Sequence, residues 1–212
     1  MIATALVAFG TTVNAAAANA AGTSTEYTEN SVSQQNVSDR IKLGLSSVLL
    51  PGMGTVTQKD VRYSYDADKD VVRMQFAGDS VPYSTVFINK DLRTALHTAY
   101  DQYLKDFDAH TLAQKNAYKA YGTTESRYVW EQGADRNAAN TETAVGYRFV
   151  NGTPYFSLTL FENENIGDDT QSGMRTILLT KKQAADLIGY TDEKQLNEYA
   201  KLNSEMSAAD IY

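Results

Sequence analysis

A chain of 212 residues, 42% hydrophobic and 21% charged, can bury a sizeable core and is not a disordered polymer. Its 26 acidic against 19 basic residues leave a net charge of −7, which sets the molecule as a whole against phosphate backbones and anionic lipid heads, although a local basic patch is still open to it. The absence of cysteine excludes disulfides, thiolate nucleophiles and zinc–thiolate sites.

The chain opens on an apolar run, Ile2 to Phe9, followed by small residues ending in Ala18-Asn19-Ala20. This is the form of a signal peptide with an A-x-A cleavage site over residues 1–21, without the usual charged leader. Residues 22–37, rich in Ser, Thr, Gln and Asn, form a flexible spacer, which leaves 38–212 as one domain. The sequence holds no apolar run of roughly 18 residues, so no membrane-spanning helix is expected. Ser38 as N-cap, Ile41, Leu45, Val48 and Leu49 at helical spacing, and the Pro51-Gly52 stop predict a short helix over 38–50.

Strands follow. Val61, Tyr63 and Tyr65 alternate on one face and Val72, Met74 and Phe76 on the return arm, a hairpin with Arg62, Ser64, Arg73 and Gln75 facing the other way. "YSTVFI" adds a third strand running into a helix N-capped by Asn89, whose stripe of Leu92, Leu96, Ala99, Tyr103 and Phe107 is expected to run on to a stop at Gly122. In the second half "ESRYVWEQ" is a strand. "AVGYRFVNGTPYFSLTLF" is a hairpin whose Asn151-Gly152 turn sets Phe149 opposite Pro154, Tyr147 opposite Phe156 and Val145 opposite Leu158. "RTILLT" is the last strand. It feeds a helix capped by Thr180 with Gln183 and stopped at Gly189, and a further helix spans residues 192–202.

"VFINKDLRTAL" and "ILLTKKQAADL" both run from apolar strand through a cap into a helix, which suggests a β-β-β-α unit used twice, over about 55–122 and 126–202. The expected fold class is therefore α+β: two antiparallel strand-rich units, each followed by a helix, with the helices packed on one face of the sheets.

Chemistry is sparse. Asp66 to Asp70 has carboxylates at EF-hand spacing, but Val71 and Ala77 stand where that loop needs Gly and Glu. His97 and His110 do not share a helix face, and no nucleophile-elbow, zincin or phosphate-loop motif occurs. No catalytic residue, metal ligand or cofactor is therefore assigned. Residues 133–143 and 163–173 are read as two long polar loops meeting at one end of the sheet, opposite the Asn151-Gly152 turn. They would bring Asp135, Arg136, Glu142, Glu164, Asp168 and Asp169 together as a rim for a ligand or partner. The resulting expectation is an exported, non-enzymatic binding or structural protein of the cell envelope or extracellular space, with a protein or glycan partner and no nucleic acid. A hydrolase of envelope glycans or peptides using carboxylates is the alternative enzyme class.

A further alternative comes from a resemblance. Paired ββββα units resemble the plan of the Whirly and PUR-type single-stranded nucleic-acid-binding proteins, at the level of topology and without any shared motif. That resemblance implies a single-stranded nucleic-acid ligand, which the acidic charge opposes.

Overall fold

The computed structural model describes residues 40–52, 55–77, 83–113, 119–132, 135–162 and 173–209, so the leader and the spacer lie outside the described residues. The strands are β1 (Arg40–Pro51), β2 (Val56–Asp66), β3 (Val71–Phe76), β4 (Ser84–Ile88), β5 (Lys119–Gln132), β6 (Asp135–Val150), β7 (Thr153–Leu160) and β8 (Arg175–Leu179). Helix α1 (Lys90–Asp108) separates β4 from β5, and α2 (Lys181–Tyr190) and α3 (Glu193–Ala209) follow β8. Each strand pairs antiparallel with the next, and β1 returns to β8 at Leu49 and Leu178, closing a barrel of eight strands.

This closure overturns the expected α+β arrangement of two sheets with helices on one face. The decisive segment is 40–51, a strand and not a helix. Ile41, Leu45, Val48 and Leu49 fit a helical spacing, but Ser46, Val48 and Leu50 also alternate, and pairing along β2 from Arg40 to Pro51 wins. A bulge between Lys42 and Gly44 bends the strand, and the Tyr190 ring packs so close over Gly44 that a Cβ there would have to push it aside. Once this strand meets β8, both sheet edges vanish. Eight strands give an interior just wide enough for side chains to fill.

The interior follows from period-two alternation. Val61, Tyr63 and Tyr65, then Val72, Met74 and Phe76, then Val145 and Tyr147, then Phe156, Leu158 and Leu160, all lie buried on the inward side. Outward positions carry Arg62, Ser64, Arg73, Gln75, Glu125 and Arg127. An apolar inside and a polar wall are the reverse of a lipid-facing barrel. Among the described residues no helix is long and apolar enough to cross a membrane.

Both hairpins read from the sequence are present: the second has the expected register, with Tyr147 opposite Phe156, and in the first Tyr63 pairs with Met74. Asn151 and Gly152 have φ of 51° and 77°, as a type I′ turn requires. Asn89 caps α1 by accepting from the Leu92 N–H, and Thr180 and Gln183 form the reciprocal capping box of α2.

The helices do not roof a free sheet face. Instead they add aromatic side chains to the interior set. Tyr100 and Tyr103 of α1 meet the Phe156 ring at 5.7 and 5.6 Å, and Tyr190 of α2 stacks on Tyr63 at 4.7 Å. Helix α1 stops well short of Gly122, which lies in β5. His110 takes a φ of 55° and donates its N–H to Phe107, while Thr111 donates to Asp106, so the last carbonyls are met by a Schellman turn. Gly189 likewise lies inside α2, which ends at Tyr190 with Thr191 as its cap.

Burial of so many tyrosines has a pH consequence. Burial, the hydrogen bond given to Asp70 and the Asp70 charge push Tyr65 up to about 12, and burial with the nearby Tyr100 pushes Tyr103 up to about 12. Tyr63 and Tyr121 move in the same direction, mainly through burial. In the unfolded chain these phenols ionise at about 10. Above that pH the unfolded state loses protons that the folded state keeps, so stability is full below it and declines as pH climbs toward 12. Cooperative unfolding between pH 10 and 12 is expected, with tyrosinate absorbance rising in step with loss of near-ultraviolet dichroism. Ionisation of these buried tyrosines with the near-ultraviolet dichroism still intact would contradict this.

Candidate functional site

The outer wall is built by register. Reading across from β1 to β6, Lys42 is opposite Ser64, Ser64 opposite Arg73, Arg73 opposite Phe87, Phe87 opposite Arg127, and Arg127 opposite Asn140. A phenylalanine in such an outward row is out of place unless something covers it. Two guanidinium groups do: that of Arg73 lies 5.0 Å and that of Arg127 5.9 Å from the centre of the Phe87 ring. The ring's negative face holds each planar cation.

Arg73 is the inner member. Its Nη2 donates to Asp66 Oδ2 at 2.7 Å, and Lys69 approaches the same carboxylate at 3.6 Å. Burial pushes the Arg73 guanidinium below the ordinary arginine pKa; Arg40 and Arg136 push the same way by like-charge repulsion, while Asp66 opposes them. The Asp66 carboxyl, despite its own burial, is held below the usual range by Arg73 and Lys69. The Nε of Arg73 has no hydrogen-bond partner among the described residues. Arg40, Arg127 and Arg136 are exposed. The result is a knot of two arginines on one ring, with Arg40 and Arg136 near enough to repel the Arg73 charge, on a chain whose net charge is −7.

The rim residues read from the sequence fall differently. Residues 135–143 belong to strand β6 and are not a loop. Asp135 and Arg136 stand at the open end of the β5–β6 hairpin, opposite Gln132 and Glu131, and as sequence neighbours they point to opposite faces. Glu142 is exposed opposite Glu125, seven residues down the strand, which is about 23 Å away. Glu164, Asp168 and Asp169 lie outside the described residues. Of the rim residues only Arg136 comes near the arginine pair, acting on Arg73 by like charge. Arg73, Phe87 and Arg127 were missed as a site. The available signal was the phenylalanine on the polar side of "STVFI", where Ser84, Val86 and Ile88 turn inward.

A second surface feature is a depression of about 280 Å³ between β1, α2 and α3, lined by Leu43, Asp186, Tyr190, Gln195, Leu196 and Tyr199. It falls just below the size at which pockets enclose drug-sized ligands, roughly 300 Å³ and up. The Asp66–Asp70 segment is the β2–β3 turn, with Asp66 on Arg73 and Asp70 on Arg93. His97 is engaged by Thr191 at 3.2 Å. Chemically, the wall offers charged, planar N–H donors suited to oxyanions.

The fold and wall thus define a closed eight-stranded antiparallel barrel with an arginine-flanked outer face. A family described as "Uncharacterised Treponema protein" matches residues 21–198, and the chain belongs to that family. It is similar to an uncharacterized protein of Treponema pallidum (strain Nichols), 26% identical over 147 residues, which cover 67% of this chain and 52% of that protein. The chain therefore spans about half the length of the curated relative it matches. No solved structure matches it.

Proposed function

We propose that the protein is an exported, non-catalytic binding protein of the cell envelope or the extracellular space, and that the wall around Phe87 is its contact surface. One observation carries the reading: two arginines held on one outward ring, with Arg40 and Arg136 near enough to repel Arg73, in an acidic protein. Like charges brought together on a rigid sheet cost free energy in the empty protein, and a bound partner of opposite sign offsets that cost. Export rests on the leader, Ile2 to Phe9 with Ala18-Asn19-Ala20.

Two measurements test the reading. N-terminal sequencing of the mature protein from its own cells is expected to start near residue 21. A binding screen against glycans and peptides, run beside a hydrolysis assay on the same polymers, is expected to give binding without turnover. Release of reducing ends or free amines would replace this reading with a hydrolase. A second reading, a single-stranded nucleic-acid binder, is favoured by the order of elements: each half of the chain runs four strands and then a helix. A low-salt gel shift with single-stranded DNA separates the two.

A further inference from the structure

The knot around Phe87 has features that select among ligands. Arg73 and Arg127 stand on strands β3 and β5, two inter-strand steps apart, which is about 9–10 Å at Cα. Each is held by the same ring, so the side chains are oriented before any ligand arrives. Arg127 and Arg136 make no hydrogen bond or ion pair among the described residues, which leaves their donors to solvent, whereas Arg73 has Asp66 as a partner. Glu131 faces Arg136 across the hairpin on one side of Arg127, and Glu125 and Glu142 stand opposite each other on its other side, so acids flank the positive surface at both ends of these strands.

We infer that the wall binds a linear acidic glycan, with successive sulfate or carboxylate groups of the chain meeting Arg73 and Arg127 separately and with Arg136 and Arg40 meeting further anionic groups. This deepens the proposed function and rests on it. Two observations favour a glycan over a nucleic acid. Single-stranded nucleic acids are held by exposed aromatic faces on which bases stack, and here the Phe87 ring is engaged by its own two arginines. The arginine columns are also set two strands apart, which suits an extended sugar chain with one anion per disaccharide better than a backbone with an anion on every nucleotide. Flanking acids would repel a densely charged strand more than a sparsely charged one.

The test uses the full mature chain and titration calorimetry at low and moderate salt, with four probes: a keratan sulfate oligosaccharide, hyaluronan, neutral dextran and oligo(dT). Binding of keratan sulfate or hyaluronan that weakens as salt rises is expected, with no binding of dextran. Arg127→Ala, exposed and therefore safe for folding, is expected to weaken that binding roughly tenfold, and Arg127→Lys less, because lysine keeps the charge but not the fork. Arg136→Ala should weaken it roughly threefold. Thermal melts matching the parent show that the variants fold. Keratan sulfate, which has no carboxylate, and hyaluronan, which has no sulfate, separate sulfate from carboxylate as the preferred oxyanion. Three results overturn the inference: no binding of either acidic glycan at low salt, equal binding by Arg127→Ala, or tighter binding of oligo(dT) than of both glycans. Binding of neutral glycans or peptides alone, untouched by Arg127→Ala, sinks the inference while the binding-protein reading stands. A blank across the whole glycan and peptide screen sinks both.

Discussion

Replacing Gly146 by alanine is expected to destabilise the barrel by about 4 kcal/mol or more, at the far end of what single substitutions do. Gly146 of β6 pairs with Ala120 at the point where β5 bulges between Ala120 and Gly122. The bulge carries the β5 backbone directly over Gly146, so that an added Cβ would overlap the Lys119 carbonyl oxygen and lie 2.8 Å from the Ala120 Cα. A long side chain could swing aside, but these are main-chain atoms fixed by the strand ladder. Overpacking a well-filled site costs about 1–3 kcal/mol when neighbours can adjust, and here they cannot. Gly122 supplies the control. Nothing lies within 4 Å of its Cβ position, so Gly122→Ala should fall within about 0.5 kcal/mol of the parent or gain slightly from a stiffer unfolded chain. Urea unfolding followed by the fluorescence of buried Trp130 measures both. Equal midpoints for the two variants would show that the bulge does not press on β6.

The same region shows what could and could not be read from residues in order. The β6–β7 hairpin was legible because Asn151-Gly152 fixes register within a few residues. The first half of β6 was not, because it breaks the binary pattern. Asn137, Thr141 and Thr143 face inward and are buried, yet they are polar and so suggest a loop. Hydrogen bonds make this tolerable: Ser126 and Thr143 hydroxyls lie 2.7 Å apart, and Thr141 donates to the Phe161 carbonyl at 2.6 Å. Closure was illegible for a different reason. It depends on β1 meeting β8, strands at opposite ends of the domain, and local pattern carries no information about which distant strands pair. The arginine knot shares that limit. Phe87 and Arg127 are neighbours across β4 and β5 but have the whole of α1 between them in sequence. Net charge, read alone, argued against anionic ligands, whereas pairing concentrates cations on one wall.

Arg93→Met should cost about 3 kcal/mol. The guanidinium of Arg93 is 1% exposed, yet it is paired on two sides: Nη2 meets both carboxylate oxygens of Asp70 at 2.8 and 2.9 Å, and Nε meets Glu193 at 2.8 Å. Its Nη1 also donates to the Asp70 carbonyl at 2.8 Å. One side chain on α1 thereby ties the β2–β3 turn, where Asp70 sits at a φ of 50°, to the start of α3. Burial alone would lower the pKa of Arg93, and the two carboxylates outweigh it, so the charge is retained. Asp70 and Glu193 are 49% and 46% exposed and can rehydrate when Arg93 is gone, which keeps the loss near the lower end for broken buried pairs, about 3 kcal/mol. Removing an acid instead leaves the buried cation short of a partner, so Asp70→Ala should cost about 2–3 kcal/mol although Asp70 is half in water. It also takes away the acceptor of the Tyr65 hydroxyl at 2.9 Å. Because the groups act as a unit, Arg93→Met with Asp70→Ala should cost at least 1 kcal/mol less than the two separate losses combined, to order of magnitude. Raising salt should barely change that coupling, in contrast to the exposed Lys181–Asp108 pair, which is screened. Strict additivity, or a coupling that fades in salt, would mean that Arg93 only fills space.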